Sequence, residues 1–531
     1  MKKFTLIIAL FILTDAITAQ PIIQWQNTIG GDGNDLLQFI QQTSDGGYVA
    51  GGFSYSSLSG DKSEDSLGGY DYWIIKTGVT GNLQWQNTIG GSENDYLYSL
   101  QQTMDKGYII AGYSESGISG DKTENKSGES DYWVLKLDSM GIIEWQNTIG
   151  GDSIDWLYSV KQTSDGGYIL GGSSNSSAAG DKTESNLGSF DYWIVKLDSS
   201  GLIQWQNTIG GSGNDMLQSI ERTSDGGYIV AGYSDSDSSG DKTENDIGYT
   251  DYWILKLDST GQIVWQNTIG GTNYDLLHSV EQTDDAGFVL GGSSSSSISG
   301  DKTEDAIGFE DYWIVKIDSS GNIQWQNTIG GTVSDRLRAV HQTSDHGYIM
   351  AGFSNSDISG DKTEINLGVY DYWIVRTDSA GSIVWQNTIG GSDWEELRSM
   401  QITNDSGYIL GGYSRSNISA DKNENSQGLF DYWIVKLYTD SVTGISHIKI
   451  PKTNPIRIYP NPASDLVTIN FREITEDINY LIISDLTGKR ILEQEIKTKE
   501  ITLPVSALAK GTYYVSLLNK NVRFSEKFIK R

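Results

Sequence analysis

Two short motifs recur along this chain at a strict spacing of 60 residues. Trp-Gln-Asn-Thr begins at Trp25, Trp85, Trp145, Trp205, Trp265, Trp325 and Trp385. Asp-Tyr-Trp begins at Asp71, Asp131, Asp191, Asp251, Asp311, Asp371 and Asp431. Every Trp except Trp156 and Trp394 belongs to one of them. Such a period marks a unit that cannot bury its apolar surface alone and stacks against copies of itself. No insertion interrupts the seven copies, so one geometry serves them all.

Each unit reads as four short strands. In the fourth unit these cover residues 215–220, 228–233, 252–257 and 263–269. Thr-Ser-Asp-Gly-Gly, a long polar loop and Asp-Ser-Thr-Gly separate them. The second and third strands are apolar at odd and even positions alike, which predicts burial on both faces. The fourth alternates in most units, with Ile203, Trp205 and Ile209 against Gln204, Gln206 and Thr208, and predicts a half-exposed outer strand. The first is irregular, with Leu217 and Ile220 three apart, and predicts a bulge or a short helical turn.

Four-stranded units repeated radially make a β-propeller. The first Trp strand, residues 22–29, precedes any complete unit, and the last unit ends after residues 432–437 without one. The N-terminal strand can therefore complete the last blade. The expected fold is all-β, a seven-bladed propeller over residues 20–440, and a monomer. An open solenoid would need capping units at both ends, and none is visible. The spacing resembles bacterial propeller repeats of the form Asp-Gly-Gly-Tyr, then Asp-x-Trp-x-x-Lys-x-Asp-x-x-Gly, then Trp-x-x-x-x-Gly-Gly. Here these are Asp225 to Tyr228, then Asp251, Trp253, Lys256, Asp258 and Gly261, then Trp265, Gly270 and Gly271. The resemblance implies architecture and says little about activity.

The ends of the chain differ from the body. Lys2 and Lys3 followed by an apolar run from Leu6 to Leu13 read as a signal peptide over residues 1–19. The run is too short for a membrane span, and no other segment is long and apolar enough. Residues 441–455 read as a linker. Then follow Ile458-Tyr-Pro-Asn-Pro-Ala-Ser-Asp465, Asp485-Leu-Thr-Gly-Lys489, Leu508-Ala-Lys-Gly-Thr-Tyr-Tyr-Val515 and a final Phe524 to Arg531. In this order the motifs resemble the type A C-terminal sorting domain of the Bacteroidetes type IX secretion system. The resemblance implies a small β-sandwich over residues 456–531 that an outer-membrane translocon recognises as its partner. It also implies a secreted or cell-surface destination.

The formal net charge is -31, and the excess acid lies in the repeats. That balance disfavours nucleic acid as a partner. There is no Cys, which excludes a disulfide framework, a lipoprotein anchor and a thiol nucleophile. The four His, His278, His341, His346 and His447, do not recur between units. No metal-ligand cluster and no Gly-x-Ser-x-Gly elbow appears. A paired-carboxylate hydrolase or lyase acting on polysaccharide stays open, as does a passive surface-layer protein. A non-catalytic binding protein for a glycan or protein ligand fits the pattern better.

Two sets of residues are candidates for sites. Asp235, Asp237, Ser239, Gly240 and Asp246 match a calcium-loop spacing, but the other six copies do not keep the first two. What the copies share is Ser234, Ser236, Asp241, Lys242, Glu244 and Gly248. Strand connectivity brings Asp215, Asp241, Glu244 and Asp251, with their repeat equivalents, to one rim. There they either hold the loop in shape or hold Ca2+; no other cofactor is indicated. The second set lies where the copies differ, on the first strand. Tyr98, Trp156, Tyr158, His278, Arg336, Arg338 and Arg398 could line a central pocket, with aromatics and Arg suited to a sugar or an anionic glycan. The motif Trp pairs, such as Trp253 and Trp265, read as core.

Overall fold

The structure is a computed structural model. It describes residues 20–438 and, further on, 456–471, 479–484, 490–496, 498, 500–519 and 522–531. The signal peptide and the linker expected from the sequence lie outside the described residues. The chain divides into two compact units, Met1–Ser441 and Val442–Arg531.

The first unit holds seven four-stranded antiparallel sheets. Six are built from consecutive strands. The seventh adds Ile22–Ile29 to Glu395–Ile402, Tyr408–Ser414 and Asp431–Tyr438. In that sheet Thr28 faces Trp433 and Asn27 faces Ile434, the register in which Thr88 faces Trp73 and Asn87 faces Ile74. Each inner strand packs against the inner strands of both neighbours, and Asp35–Gln42 packs against Glu395–Ile402. The sheets are therefore the blades of a closed propeller.

Burial explains the strand order. The second and third strands of the first blade, Tyr48–Ser54 and Asp71–Thr77, are buried along their whole length. Their apolar side chains fill the junctions between blades. Tyr132 packs on Trp193 of the next blade with ring centroids 4.7 Å apart, and its hydroxyl donates to the Trp193 carbonyl at 3.0 Å. Across the join of first and last blades, Tyr432 donates to the Trp73 carbonyl at 2.9 Å. Leu37, Ile40 and Trp73 share that core with Ile409 and Tyr432. Each such side chain contributes roughly 1.5–3 kcal/mol when fully buried.

Three details differ from or sharpen the sequence reading. The inner strand carries a β-bulge in every blade, at Leu217/Ser219 in the fourth, and no helical turn. Just past the bulge a serine of the preceding blade accepts the next N–H, as Ser99 Oγ does from Val160 at 3.1 Å and Ser159 Oγ from Ile220 at 3.3 Å. The outer strand is graded rather than alternating: Ile203 and Gln204 are exposed, whereas Thr208 and Ile209 are buried. The long loop covers that deeper end, where Gln206 Nε2 donates to the Asp181 carbonyl at 2.7 Å. Finally, Trp253 is fully buried but Trp265 is only half-buried, standing at a blade junction edge-on to Phe288. The second Trp of each pair is thus junction packing, not deep core.

The second unit is a small sandwich. Ile456–Tyr459, Leu466–Phe471 and Glu500–Pro504 form one sheet. Arg490–Ile496, Asn479–Ser484, Gly511–Asn519 and Val522–Lys530 form the other, in that order. Val467, Ile469, Leu481, Ile483, Val515 and Phe528 close the core between them. Asn461 ties the Pro-rich start to the last strand, accepting from Ile529 N at 2.9 Å and donating to the Lys527 carbonyl at 3.0 Å.

The Asp-Gly-Gly turn needs left-handed backbone at its first glycine, where Gly46 has φ +82°. Lys106, Ala286, His346 and Ser406 occupy the same place at φ between 61° and 70°. A side chain there is strained. Ala286→Gly or Ser406→Gly should raise stability by about 0.5–1 kcal/mol after the entropic cost of glycine, measured as a shift in the denaturation midpoint.

Candidate functional site

The bulge decides which side chains meet at the propeller axis. The residue it adds projects inward in every blade, so Gln38, Tyr98, Tyr158, Gln218, His278, Arg338 and Arg398 line one cavity of about 260 Å³. Five of the seven residues singled out from the sequence therefore come together. Trp156 and Arg336 do not line this cavity. Trp156 stacks on Phe190 with centroids 5.1 Å apart and borders a separate cleft with Glu115, Lys126 and Glu129. Arg336 Nε donates to Glu310 Oε2 at 2.5 Å.

On the side of the first three blades, aromatic rings run unbroken from the surface to the cavity. Tyr55 meets Tyr70 at 5.4 Å, Tyr70 meets Phe53 at 5.3 Å, and Phe53 meets Tyr96 at 5.0 Å. Tyr96 then meets Tyr113 at 5.0 Å, Tyr113 stacks on Tyr98 at 5.7 Å, and Tyr98 meets Tyr158 at 5.2 Å. Tyr55 is 57% exposed, so the run begins in solvent. Sequence reasoning missed Phe53, Tyr55, Tyr70 and Tyr113. The signal was available: Phe53 and Tyr113 share one repeat position, which is Ser173 in the third unit, and Tyr55 and Tyr70 correspond there to Asn175 and Phe190, variation of the kind used for the first strand.

The opposite arc is cationic. Arg398 Nη2 lies 3.2 Å from Glu396 Oε2 and donates to Tyr413 Oη at 2.7 Å, and the tyrosine hydroxyl donates to Glu396 Oε2 at 2.6 Å. Arg338 has no such carboxylate. Its Nη1 meets His278 Nε2 at 2.9 Å, its guanidinium lies 5.4 Å from the centre of the Phe353 ring, and its Nε has no partner. Burial and the charge of Arg398 pull its pKa down to about 10. Burial and the same arginines hold His278 well below the usual histidine range, so it is neutral.

Past the bulge, the cavity wall is a belt of hydrogen bonds between blades. Gln101 Oε1 accepts from Gln162 N at 2.6 Å, and Gln401 Oε1 from Gln42 N at 2.6 Å. Two junctions use charge instead. Lys161 pairs with Glu221 at 2.5 Å. His341 Nδ1 lies 2.5 Å from Glu281 Oε2, and its Nε2 lies 2.9 Å from the Met400 carbonyl. Both partners are acceptors, so the ring carries both protons and a positive charge. Glu281 and hydrogen bonding raise the His341 pKa against the opposing effect of burial, and His341 lowers that of Glu281 likewise.

The shared acidic residues fall into two groups rather than one. Asp215 and Asp251 are fully buried. Asp215 accepts from Gly211 N at 2.7 Å, Ser234 Oγ at 2.5 Å and Ser236 Oγ at 3.1 Å, and Asp251 accepts from Ile247 N at 2.5 Å. Buried Lys242 lies among them and donates to the Ser236 carbonyl at 2.6 Å. Asp241 and Glu244 sit further out, where Glu244 Oε2 accepts from Thr268 N at 2.6 Å. The ammonium thus stands where a cation between the blade carboxylates would stand, and every copy keeps its buried Lys. Within the calcium-like loop, Asp235 Oδ2 accepts from Asn214 Nδ2 at 2.9 Å. Asp246 lies against Asp251, which pushes the Asp251 carboxyl up together with burial. Among the described residues no group of three or more His, Asp or Glu side chains is disposed to hold a metal ion. The Gly-Gly motif is also packing: a Cβ on Gly90 would lie 1.8 Å from Asp71 Oδ1.

Residues 457–531 match the family described as secretion system C-terminal sorting domain. This segment is a sorting domain of that family. It marks the chain as an exported protein, secreted or displayed at the cell surface, and no helix among the described residues is long and apolar enough to cross a membrane. The sorting domain's Pro-rich start and its terminal strand, read from sequence as separate motifs, are one structure joined through Asn461. Over 343 residues the chain is 22% identical to the regulatory protein FlaEY of Caulobacter vibrioides, matching 59% of this chain and 35% of that protein. It thus spans about a third of that relative's length. Among solved structures it is similar to the extracellular domain of a putative hybrid two-component system, BT4673 of B. thetaiotaomicron (TM-score 0.41, 10% identity, 96% of this chain and 60% of that one). It is also similar to PorZ of Porphyromonas gingivalis, a surface component of the type IX secretion system (TM-score 0.35, 12% identity, 87% and 63%). Nothing about ligand or activity follows from scores this low.

Two outcomes follow from the charge arrangement. His341 stabilises the fold most below its unfolded pKa near 6.5, and that contribution is lost as pH rises through its higher folded value. Glu281 contributes above about 4.5 and loses this as pH falls. Between these limits the pair is intact. The double change Glu281→Gln with His341→Gln recreates the Gln belt of other junctions, so its melting temperature should lack the fall that the native protein shows between pH 6 and 8. Separately, chelator or added Ca2+ should leave the melting temperature unchanged, whereas Lys242→Met should cost about 3–5 kcal/mol by stranding buried carboxylates.

Proposed function

We propose that this exported protein is a non-catalytic binding protein whose propeller takes a saccharide chain at the axial cavity. The observation that carries this reading is the aromatic run from Tyr55 to Tyr158. Apolar sugar faces stack on such rings while hydroxyls bond at their edges, and a run of them holds a chain rather than a single small molecule. Tyr at the bulge position is peculiar to the second and third blades, at Tyr98 and Tyr158, although the bulge itself recurs in all seven. The second-strand ring is shared more widely, with Tyr233, Phe353 and Tyr413 at the place of Phe53 and Tyr113, so it is the two bulge tyrosines that packing of the propeller does not require.

The carboxylates that border the cavity favour binding over hydrolysis. Glu221 and Glu281, which line it, are held by Lys161 and His341, and Glu396, outside the lining, is held by Arg398. A glycosidase needs one carboxyl kept protonated by a raised pKa, and Glu281 is shifted the other way. A secreted or cell-surface destination is one where extracellular polysaccharides are available as ligands, which supports the reading.

A glycan array followed by calorimetry on the full chain tests this. Binding without release of products is expected, and Tyr98→Ala and Tyr113→Ala should each weaken it by about 1–3 kcal/mol if each ring stacks one sugar, by analogy with base stacking. Depolymerisation of any bound polysaccharide would replace the reading with a hydrolase or lyase. Absence of any binding would favour a passive surface protein.

A further inference from the structure

Arg338 and Arg398 line the axial cavity, Arg336 lies two residues before Arg338 and outside that lining, and the three are not equivalent. Arg336 is neutralised by Glu310 at 2.5 Å and Arg398 by Glu396 at 3.2 Å. Arg338 makes no ion pair among the described residues. Its polar partner is the neutral His278; its Nε has no partner, as is also true of Arg398 Nε, but Arg398 has Glu396 and Tyr413 besides. A guanidinium carries five N–H donors in a planar fork that matches an oxyanion. Here one Nη is engaged and the rest of the fork is not matched to an acceptor. A cation withdrawn from bulk solvent without a counter-ion is costly, and Arg338, half-buried in the cavity wall, keeps that arrangement in a protein whose net charge is -31. Acidic residues are abundant on this chain, yet among the described residues none forms an ion pair with Arg338; Glu396 acts on it electrostatically but is paired with Arg398.

The surroundings set the geometry of a partner. Phe353 packs against the guanidinium, which fixes its plane. His278 lies on one edge and offers a ring nitrogen. Tyr98 and Tyr158 line the same cavity, at the inner end of the aromatic run. A ligand ring stacked at that end would carry its acidic group towards the arginine.

We propose that Arg338, with His278 beside it, is an anion receptor for a carboxylate or sulfate ester borne by the terminal sugar of an acidic saccharide. This rests on the reading of the cavity as a saccharide site and adds the charge of the ligand. Arg336 and Arg398 are positioning and structural partners of their own glutamates, not receptors.

The test is calorimetry on the full-length chain with three probes of equal length: oligogalacturonate, its methyl-esterified neutral form, and a sulfated galactan oligomer. At least one anionic probe should bind tenfold or more tightly than the neutral one, and which of the two does so identifies carboxylate or sulfate as the group. Arg338→Gln should erase that preference. Arg338→Lys, which keeps the charge but not the fork, should retain only part of it and guards against a folding defect in the first variant. Arg336→Gln should leave the preference unchanged. Equal binding of neutral and anionic probes, or a preference that survives Arg338→Gln and falls with Arg336→Gln, overturns the anion receptor while leaving the saccharide site standing. Failure of all three probes to bind overturns the receptor, and a glycan array then decides the saccharide reading separately.

Discussion

Everything in the propeller depends on each blade packing its central strands against the next in one repeated way. The Tyr of every Asp-Tyr-Trp motif lies on the Trp of the following blade, as Tyr72 on Trp133 at 4.9 Å, and its hydroxyl reaches that Trp's carbonyl at 3.0 Å. Seven repetitions of one junction return the chain to its start, where Tyr432 finds Trp73 in the same geometry at 4.7 Å. A different angle at any junction would leave the ring open or overlapping. This accounts for the absence of insertions: the 60-residue spacing is kept because the wedge is kept. It also accounts for the borrowed strand, Ile22–Ile29, which ties the two ends of the ring by a full ladder instead of by loop contacts.

The same constraint divides residues into fixed and free. Asp215, Asp251 and Lys242 with their equivalents are buried between strands and loops. They hold the long connection in place through backbone N–H groups and one internal ammonium. Replacing any of them strands a buried charge, so the copies hold them constant, apart from Glu395 in the last blade. The bulge residue faces the axis and carries no such duty. It is Gln in two blades, Tyr in two, His in one and Arg in two. Diversity among otherwise matching copies thus points to the surface where the fold makes no demand.

Much of the fold was legible because it is periodic. Strand number and blade closure follow from spacing and alternation, whereas the sandwich at the C-terminus rests on the resemblance of its motifs to a sorting-domain family. The graded burial of the outer strand was not legible, because it comes from a loop 25 residues earlier laying Asp181 across Gln206. At the site, five of the named residues meet, since a first-strand position maps to the axis in any propeller. Trp156 and Arg336 were placed there by the same alternation, and their side chains are instead held by Phe190 and Glu310. The rings at Phe53 and Tyr113 escaped notice because they lie on the second strand, whose unbroken apolar character reads as core. Which arginine lacks a counter-charge was only half legible: Glu396 stands two residues from Arg398 in the sequence, whereas Glu310 approaches Arg336 only in the folded chain.

If the axial cavity takes an acidic saccharide as proposed, the acidic body around it would set its selectivity. At physiological ionic strength charges more than about 8 Å apart in solvent are largely screened, so a distant polyanion meets little repulsion until it touches the face. On contact it meets exposed carboxylates such as Asp61 and Glu64 in the long loops, which penalise a charged chain lying flat along them. The uncompensated positive charge is withdrawn to the axis, at the inner end of an aromatic path made of neutral rings. On the proposed reading, a saccharide acidic along its whole length would be opposed at the loops, while one that leads with its charged terminal sugar would run over tyrosines and bring that charge to Arg338. The distribution of charge, more than its sum, would then make the cavity a reader of chain ends.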